Sequence, residues 1–472
     1  MLGKVLPVGL RDLALFALIL FVTSSWAATN WHEKVLHTFG SGADGNSPLA
    51  GLISDTAGNL YGTTESGGTY NYGTVFELSP TQGAGWTETV LHSFNNNGTD
   101  GWYPDAALIF DAAGNLYGTT LYAEGSGAVF ELSPSEGGGW NEKVLYTFGS
   151  IGDGRYPHGG LVFNAAGNLY GTTSNGGIYC SQFQGCGTVF ELSPTQDGGW
   201  TETVLHSFDP GADDGSNPQA GLIFDAAGNL YGTTLNGGIH NPGGTVFELT
   251  PSEGGGWTET VLYRFGPVPD GEGPWAGLTF DTAGNLYGTT STGGAYGLGT
   301  VFEMTPNGSG SWTETVLHSF GNGTDGIAPF GGLIFDVAGN LYGTASQAGL
   351  YNGGTVFEFI PNGSGRWAYT VLYNFGAVPD DGGYPRGGLT FDAAGNLYGM
   401  TMLGGANRDG TVFELSPVYP CTRCSHAAPG EVDVVLVNLL SITGEKSRGF
   451  QGTVLHAEPF SYAAWGSLGT SS

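Results

Sequence analysis

The sequence predicts an all-β protein, a seven-bladed β-propeller of four-stranded antiparallel blades closed by the N-terminal strand. Three observations carry that prediction. A "NLYG" core recurs seven times, with its Tyr at 61, 117, 170, 231, 287, 342 and 398, at spacings of 56, 53, 61, 56, 55 and 56 residues. Each recurrence lies in a unit of four strand-like pieces joined by tight turns, and a period of this size marks repeated supersecondary units. The chain ends are complementary. An "EKVLHTF" strand precedes the first unit, and the last unit stops at "GTVFELSP" without such a strand. The N-terminal strand therefore completes the last blade. An open solenoid would need polar capping repeats instead, and none is visible.

The elements follow in order. Residues 1–27 read as a signal peptide: Lys4 and Arg11 precede the apolar run Leu13 to Val22, and Ser25 and Ala27 fit cleavage after Ala27. The run is about ten residues, too short to span a bilayer. No later segment is long and apolar enough to be transmembrane. Residues 28–417 hold the repeats. In the second copy the strand pieces are "AALIF" (106–110), "NLYGTT" (115–120), "GAVFEL" (127–132) and "WNEKVLYTF" (140–148). The turn "DAAGN" places Asp where its side chain can hold the reversal and Gly where a positive φ is needed. Residues 418–472 form a tail of unknown role. It contains Cys421 and Cys424 in a lone "CTRC", a weak signal for redox work or metal.

Composition narrows the class. Gly is 87 of 472 residues with no G-X-Y period, which excludes collagen. Trp 11, Tyr 22 and Phe 27 exclude a disordered chain. Only 12 Lys and Arg stand against 42 Asp and Glu, for a net charge of -30. That balance argues against nucleic acid and anionic membranes, and suits a secreted, extracellular or cell-surface protein. Export makes a disulfide between Cys180 and Cys186 the expected state of the "YCSQFQGCG" loop. The expected oligomeric state is a monomer.

The motif "GLIFDAAGNLYGTT…GG…GTVFELSP" resembles the GloVer (Gloeo_Verruco) tandem-repeat family of secreted bacterial proteins, over about residues 31 to 417. Its "FDAAGNLYG" portion is also similar to NHL-type propeller repeats. The resemblance implies export and repetition, and no particular reaction. Residues 418–472 depart from the family pattern, with no recognisable sorting motif or anchor helix.

Positions filled in every unit read as scaffold. The Trp series 31, 86, 140, 200, 257, 312 and 367 is expected to pack between blades. The "VFE" glutamates, such as Glu77 and Glu248, read as repeated hydrogen-bonding groups, because acid–base work needs carboxylates in unlike environments. His37, His92, His206 and His318 alternate with Tyr146, Tyr263 and Tyr373 at one strand position, which points to packing rather than metal ligation.

Function is sought where the copies differ. Propeller geometry puts the crossings between blades on the same face as the loops after the second strand. Each crossing carries D-G-x-x-P, with Asp44, Asp100, Asp153, Asp214, Asp270, Asp325 and Asp381. These form either a carboxylate ring for Ca²⁺ or an Asp-Gly turn, and their regularity favours the turn. No other cofactor is called for. In the loops after strand two, Tyr70, Tyr179, His240, Tyr296 and Tyr351 occupy equivalent places among Gly and Asn, where exposed rings could stack on sugars. Non-repeated groups on this face include Trp102, Asp105, Arg155, His158, Glu272, Trp275, Arg386 and Arg408. Of these, Arg155, His158 and Arg386 could meet an anionic ligand. No Ser-His-Asp order, H-E-x-x-H or phosphate loop is present.

The expected function is a secreted binding or surface-interaction module, for polysaccharide or another surface protein. The alternative is an extracellular carbohydrate-active enzyme or a Ca²⁺-dependent, lactonase-like hydrolase on the same scaffold. A purely structural surface protein is the third reading.

Overall fold

The computed structural model describes residues 30–418, apart from 41, 84, 180–185, 212–213, 239–242, 309 and 364. The expected signal peptide and tail, with Cys421 and Cys424, lie outside the described residues. The chain divides into residues 1–420 and 421–472, and the propeller belongs to the first unit. Among the described residues no helix is long and apolar enough to cross a membrane.

Seven four-stranded antiparallel sheets follow one another. In the second blade the strands are Ile109–Phe110, Leu116–Thr120, Ala128–Pro134 and Trp140–Thr147, side by side in chain order. The seventh blade takes three strands from the end of the chain and its outermost from Asn30–Thr38. That strand pairs with Thr411–Val418, from Asn30↔Val418 to Thr38↔Thr411. The closure expected from the complementary chain ends is therefore present.

The innermost strand is shorter than the sequence predicts. Residues 106–108 do not join the ladder, and the Ala106 carbonyl instead faces the preceding blade. Thr63 Oγ1 donates to the Ala106 carbonyl at 3.1 Å. The same bond recurs from Thr119, Thr172, Thr233, Thr289 and Thr344 to the next blade around the ring. At the closing seam Met400 takes the place of that Thr and packs with Phe39 and Leu52.

There is no single core. Apolar side chains gather in seven clusters, one at each seam between blades. Alternation along the second strand explains this. Leu60 faces the seam with blade seven, while Tyr61 faces Phe94, Leu108 and Phe130 in the seam with blade two. The repeated Trp packs as expected, with Trp140 edge-on to Tyr61 and Trp86 edge-on to Tyr398. A blade alone leaves both faces bare, so burial requires the ring.

The recurring turn is a set of side-chain bonds. Asp111 accepts from the Ala113 and Asn115 amides and from the Tyr117 hydroxyl, while Gly114 takes φ +87. The "VFE" glutamates act as hydrogen-bonding groups: Glu248 accepts from Tyr231 at 2.7 Å, and Glu77 from Ser79 at 2.7 Å.

Candidate functional site

The crossing loops and the loops after strand two lie on one face. They pair with each other, as in Gly45↔Gly67 and Arg155↔Asn175. Within each crossing, the residue before Pro has a left-handed backbone. Ser47, Tyr103, Tyr156, Asn217, Gly273, Ala328 and Tyr384 all show φ between 53° and 64°. Six of these are not Gly, and a left-handed side-chain-bearing residue persists only where its surroundings fix it. Both of its backbone groups are held here. The Tyr103 amide donates to the Tyr72 carbonyl at 2.9 Å, and its own carbonyl accepts from Leu121 at 3.1 Å. Equivalent bonds hold the other six.

The clamp aims the residue two places on, immediately after Pro. These are Leu49, Asp105, His158, Gln219, Trp275, Phe330 and Arg386, no two alike. All seven line one cavity of about 370 Å³ at the mouth of the central channel. The Ala and Gly pairs that follow them form its floor. They must be small: a Cβ on Gly331 would lie 2.6 Å from the Gly387 carbonyl oxygen. Going round the ring, Asp105, His158 and Gln219 form a polar arc, and Trp275 and Phe330 an aromatic one. Arg386 and the half-buried Glu65 stand between aromatic arc and polar arc.

Local bonds set the chemistry. His158 Nδ1 and Asp105 Oδ2 are 2.8 Å apart. The Arg386 guanidinium lies over the Phe330 ring at 4.8 Å, and Trp275 meets that ring edge-on at 5.6 Å. Burial, and secondarily Asp105, push the Glu65 carboxyl up, against the pull of Arg386 and His158. Gln219 is 8% exposed, and its Oε1 has no hydrogen-bond partner. The cavity thus offers two aromatic rings set edge to face, a cation, two unlike carboxyl groups and one buried acceptor without a partner.

Of the sequence-predicted residues, His158, Arg386, Asp105 and Trp275 meet at this mouth. Arg155 does not; its Nη2 donates to the Gly149 carbonyl at 3.1 Å. Trp102 stacks on Tyr122 in an aromatic patch with Tyr72, Tyr103 and Tyr156 on the same face. Tyr70, Tyr179, Tyr296 and Tyr351 are exposed at loops of four separate blades. His240 lies outside the described residues. Cys186 is buried and disulfide-bonded, while Cys180 lies outside the described residues. Sequence reasoning missed Leu49, Gln219, Phe330 and Glu65. The available signal was that a single fixed position after Pro differs in every copy.

The seven crossing aspartates do not gather at a centre. Each is held in its own seam by the His or Tyr of the preceding outer strand. Asp44, Asp100, Asp214 and Asp325 bond His37, His92, His206 and His318 at 2.9 to 3.2 Å. Asp153, Asp270 and Asp381 accept from Tyr146, Tyr263 and Tyr373 at 3.0 to 3.2 Å. Backbone amides complete the set, as from Gly149 to Asp153. Across each seam stands a glutamate of the next outer strand: Glu33, Glu88, Glu142, Glu202, Glu259 and Glu314. Burial, then the neighbouring Asp, pushes each of these carboxyls up to about 7. The seventh place holds Tyr369, which donates to the Asp325 carbonyl at 2.7 Å. Among the described residues, His206, Asp214 and Glu259 form the group whose ligand atoms, all within 4.8 Å, could hold a metal ion.

Fold and site together define a β-propeller with one asymmetric, ligand-sized mouth on a symmetric frame. The sequence matches the Gloeobacter/Verrucomicrobia repeat over residues 23–243 and 224–425, so the chain belongs to that family. No curated protein matches it. Among solved structures, it is similar to the extracellular domain assigned to a hybrid two-component system of B. thetaiotaomicron (10% identity, TM-score 0.49). The alignment covers 80% of this chain and 39% of that one, so the chain spans well under half its length. A Thermus thermophilus protein assigned as an oxidoreductase (glucose dehydrogenase) aligns at 15% identity and TM-score 0.40, over 82% of this chain and all of that one. A Trichoderma reesei carbohydrate-active enzyme of family AA12, in a calcium structure, aligns at 14% identity and TM-score 0.38, over 83% and 96%.

Proposed function

We propose that this protein is a secreted binding module that holds a sugar unit of a glycan at the channel mouth. One observation carries the reading: the seven post-Pro positions differ in every copy, yet all converge on one cavity. A repeat selected for scaffold alone has no need of seven different residues there. The donor set suits a pyranose. Trp275, edge-on to Phe330, offers aromatic surface for its apolar face, and Gln219, His158, Asp105 and Glu65 supply groups for its hydroxyls. The aromatic patch around Trp102 and the exposed Tyr70, Tyr179, Tyr296 and Tyr351 would meet the rest of a longer chain on the same face. Export is supported by the N-terminal sequence and the family.

A glycan array probed with the full secreted chain, with Ca²⁺ and again with EDTA, tests this. Selective binding that falls about tenfold in Trp275→Ala is expected, since a contact with one aromatic ring contributes on the order of 0.5–1.5 kcal/mol beyond the area it buries. Absence of binding to every glycan would sink the reading, and binding unaffected by Trp275→Ala would move the site elsewhere. Loss with EDTA would show that binding needs a divalent cation, with His206, Asp214 and Glu259 the group to substitute next.

A second reading, a glycan-cleaving enzyme, rests on Glu65 and Asp105. Two carboxyl groups in one cavity, one held up and one paired with His, is the asymmetry that acid–base chemistry uses. New reducing ends from a bound polysaccharide, abolished by Glu65→Gln, would establish it.

A further inference from the structure

We propose that the sugar unit taken at the mouth is a uronate, whose carboxylate is received by Arg386. This deepens the carbohydrate reading and rests on it. Two groups at the mouth have incomplete bonding, and together they specify the ligand.

Gln219 is the first. Its Nε2 donates to Asn217 Oδ1 at 2.7 Å. Asn217 cannot be turned the other way, because its Nδ2 donates to the Ser174 carbonyl at 3.0 Å. The amide orientation of Gln219 is therefore fixed, and its Oε1 is the end left over, buried and without a partner. A buried acceptor without a donor costs on the order of 1–3 kcal/mol. Gln219 lines the cavity, and its Oε1 is shut off from solvent, so a ligand hydroxyl would complete it after a small shift of the side chain.

Arg386 is the second. Among the described residues no carboxylate lies within ion-pair distance of it, although the chain carries 42 acidic residues against 12 basic ones. Its guanidinium carbon lies over the Phe330 ring at 4.8 Å, a contact that holds the group at the cavity it lines. A planar fork of this kind matches a carboxylate with two parallel hydrogen bonds. Arg386 belongs to blade seven and Gln219 to blade four, so the two groups sit across the mouth from each other, with Trp275 and Phe330 on the blades between. A ring with hydroxyls at one end and a carboxylate at the other, lying against the aromatic rings, fits that order.

The two acidic groups at the mouth do not cancel this. Asp105 is engaged by His158 at 2.8 Å on the opposite arc. Glu65 is not within ion-pair distance of Arg386, and burial, then Asp105, push its carboxyl up against the pull of Arg386 and His158.

The test is calorimetric titration of the full chain with oligogalacturonate, oligoglucuronate and the neutral oligomers of galactose and glucose of equal length. Acidic oligomers should bind about 10- to 100-fold more tightly than neutral ones, the range expected for a charge-assisted pair. The advantage should shrink with added salt. Arg386→Gln should weaken acidic oligomers more than neutral ones, so that the advantage disappears, and Arg386→Lys should restore part of it. Trp275→Ala should weaken both classes alike. Equal affinity for acidic and neutral oligomers in the unaltered protein would overturn the uronate assignment while leaving the carbohydrate reading intact. So would an advantage that survives Arg386→Gln in a variant with an unchanged melting temperature. If no oligomer of either kind binds, the carbohydrate reading falls and this assignment falls with it.

Discussion

His206 and Tyr263 occupy the same strand position in successive blades and do the same work. Each reaches a crossing aspartate: His206 bonds Asp214 at 3.0 Å, and Tyr263 donates to Asp270 at 3.0 Å. The exchange is tolerated because both rings end in a hydrogen-bond donor at similar reach. In the sequence it reads as packing, because the partner lies in the next crossing and nothing local points to it. His206→Tyr should therefore leave stability nearly unchanged. His206→Ala should lower it by about 1–3 kcal/mol, the cost of stripping a donor from a buried carboxylate. Thermal melting of the two variants side by side checks this, and equal losses would show that Tyr does not replace His at this position.

At the scale of the element, each seam carries a titratable pair as well as an apolar cluster. Six glutamates, Glu33, Glu88, Glu142, Glu202, Glu259 and Glu314, have their folded-state pKa raised from 4.5 to about 7. One oxygen of each, Oε1, is buried without a partner. A carboxyl with a raised folded pKa favours the folded state in its protonated form. Its contribution is therefore complete below about 4.5 and is lost as pH rises through about 7. The exception supports the sign: in the seventh seam Tyr369 supplies a neutral hydroxyl donor at the same place. Melting temperature should fall between pH 5 and pH 9, and Glu142→Gln should flatten part of that fall. A melting temperature that rises across this range would contradict the account. The sequence shows these glutamates as surface-like members of "TETVLHS" strands. Their burial arises only when the neighbouring crossing loop covers them.

Across the whole molecule, the symmetric part is legible in the sequence and the asymmetric part is not. Period, strand count and closure follow from the seven "NLYG" cores and the strand displaced to the N-terminus. The short inner strand departs from expectation because residues such as Ala106 bond the preceding blade, a contact that no single repeat contains. The mouth is hidden for the same reason. Leu49 and Arg386 are far apart in the chain, and ring closure alone makes them neighbours around one cavity. Asp105, His158, Trp275 and Arg386 stand out as non-repeated, whereas Gln219, Phe330 and Glu65 resemble ordinary variation between copies. Aromatic loop residues such as Tyr70 are more conspicuous in sequence, since exposure there needs no closure. A crystal structure of the full chain soaked with a short oligogalacturonate separates the two locations directly. Sugar density is expected in the channel mouth, with a ring against Trp275, a hydroxyl at Gln219 and a carboxylate at Arg386. Sugar bound at the Tyr70, Tyr179, Tyr296 or Tyr351 loops, with the mouth empty, would contradict it.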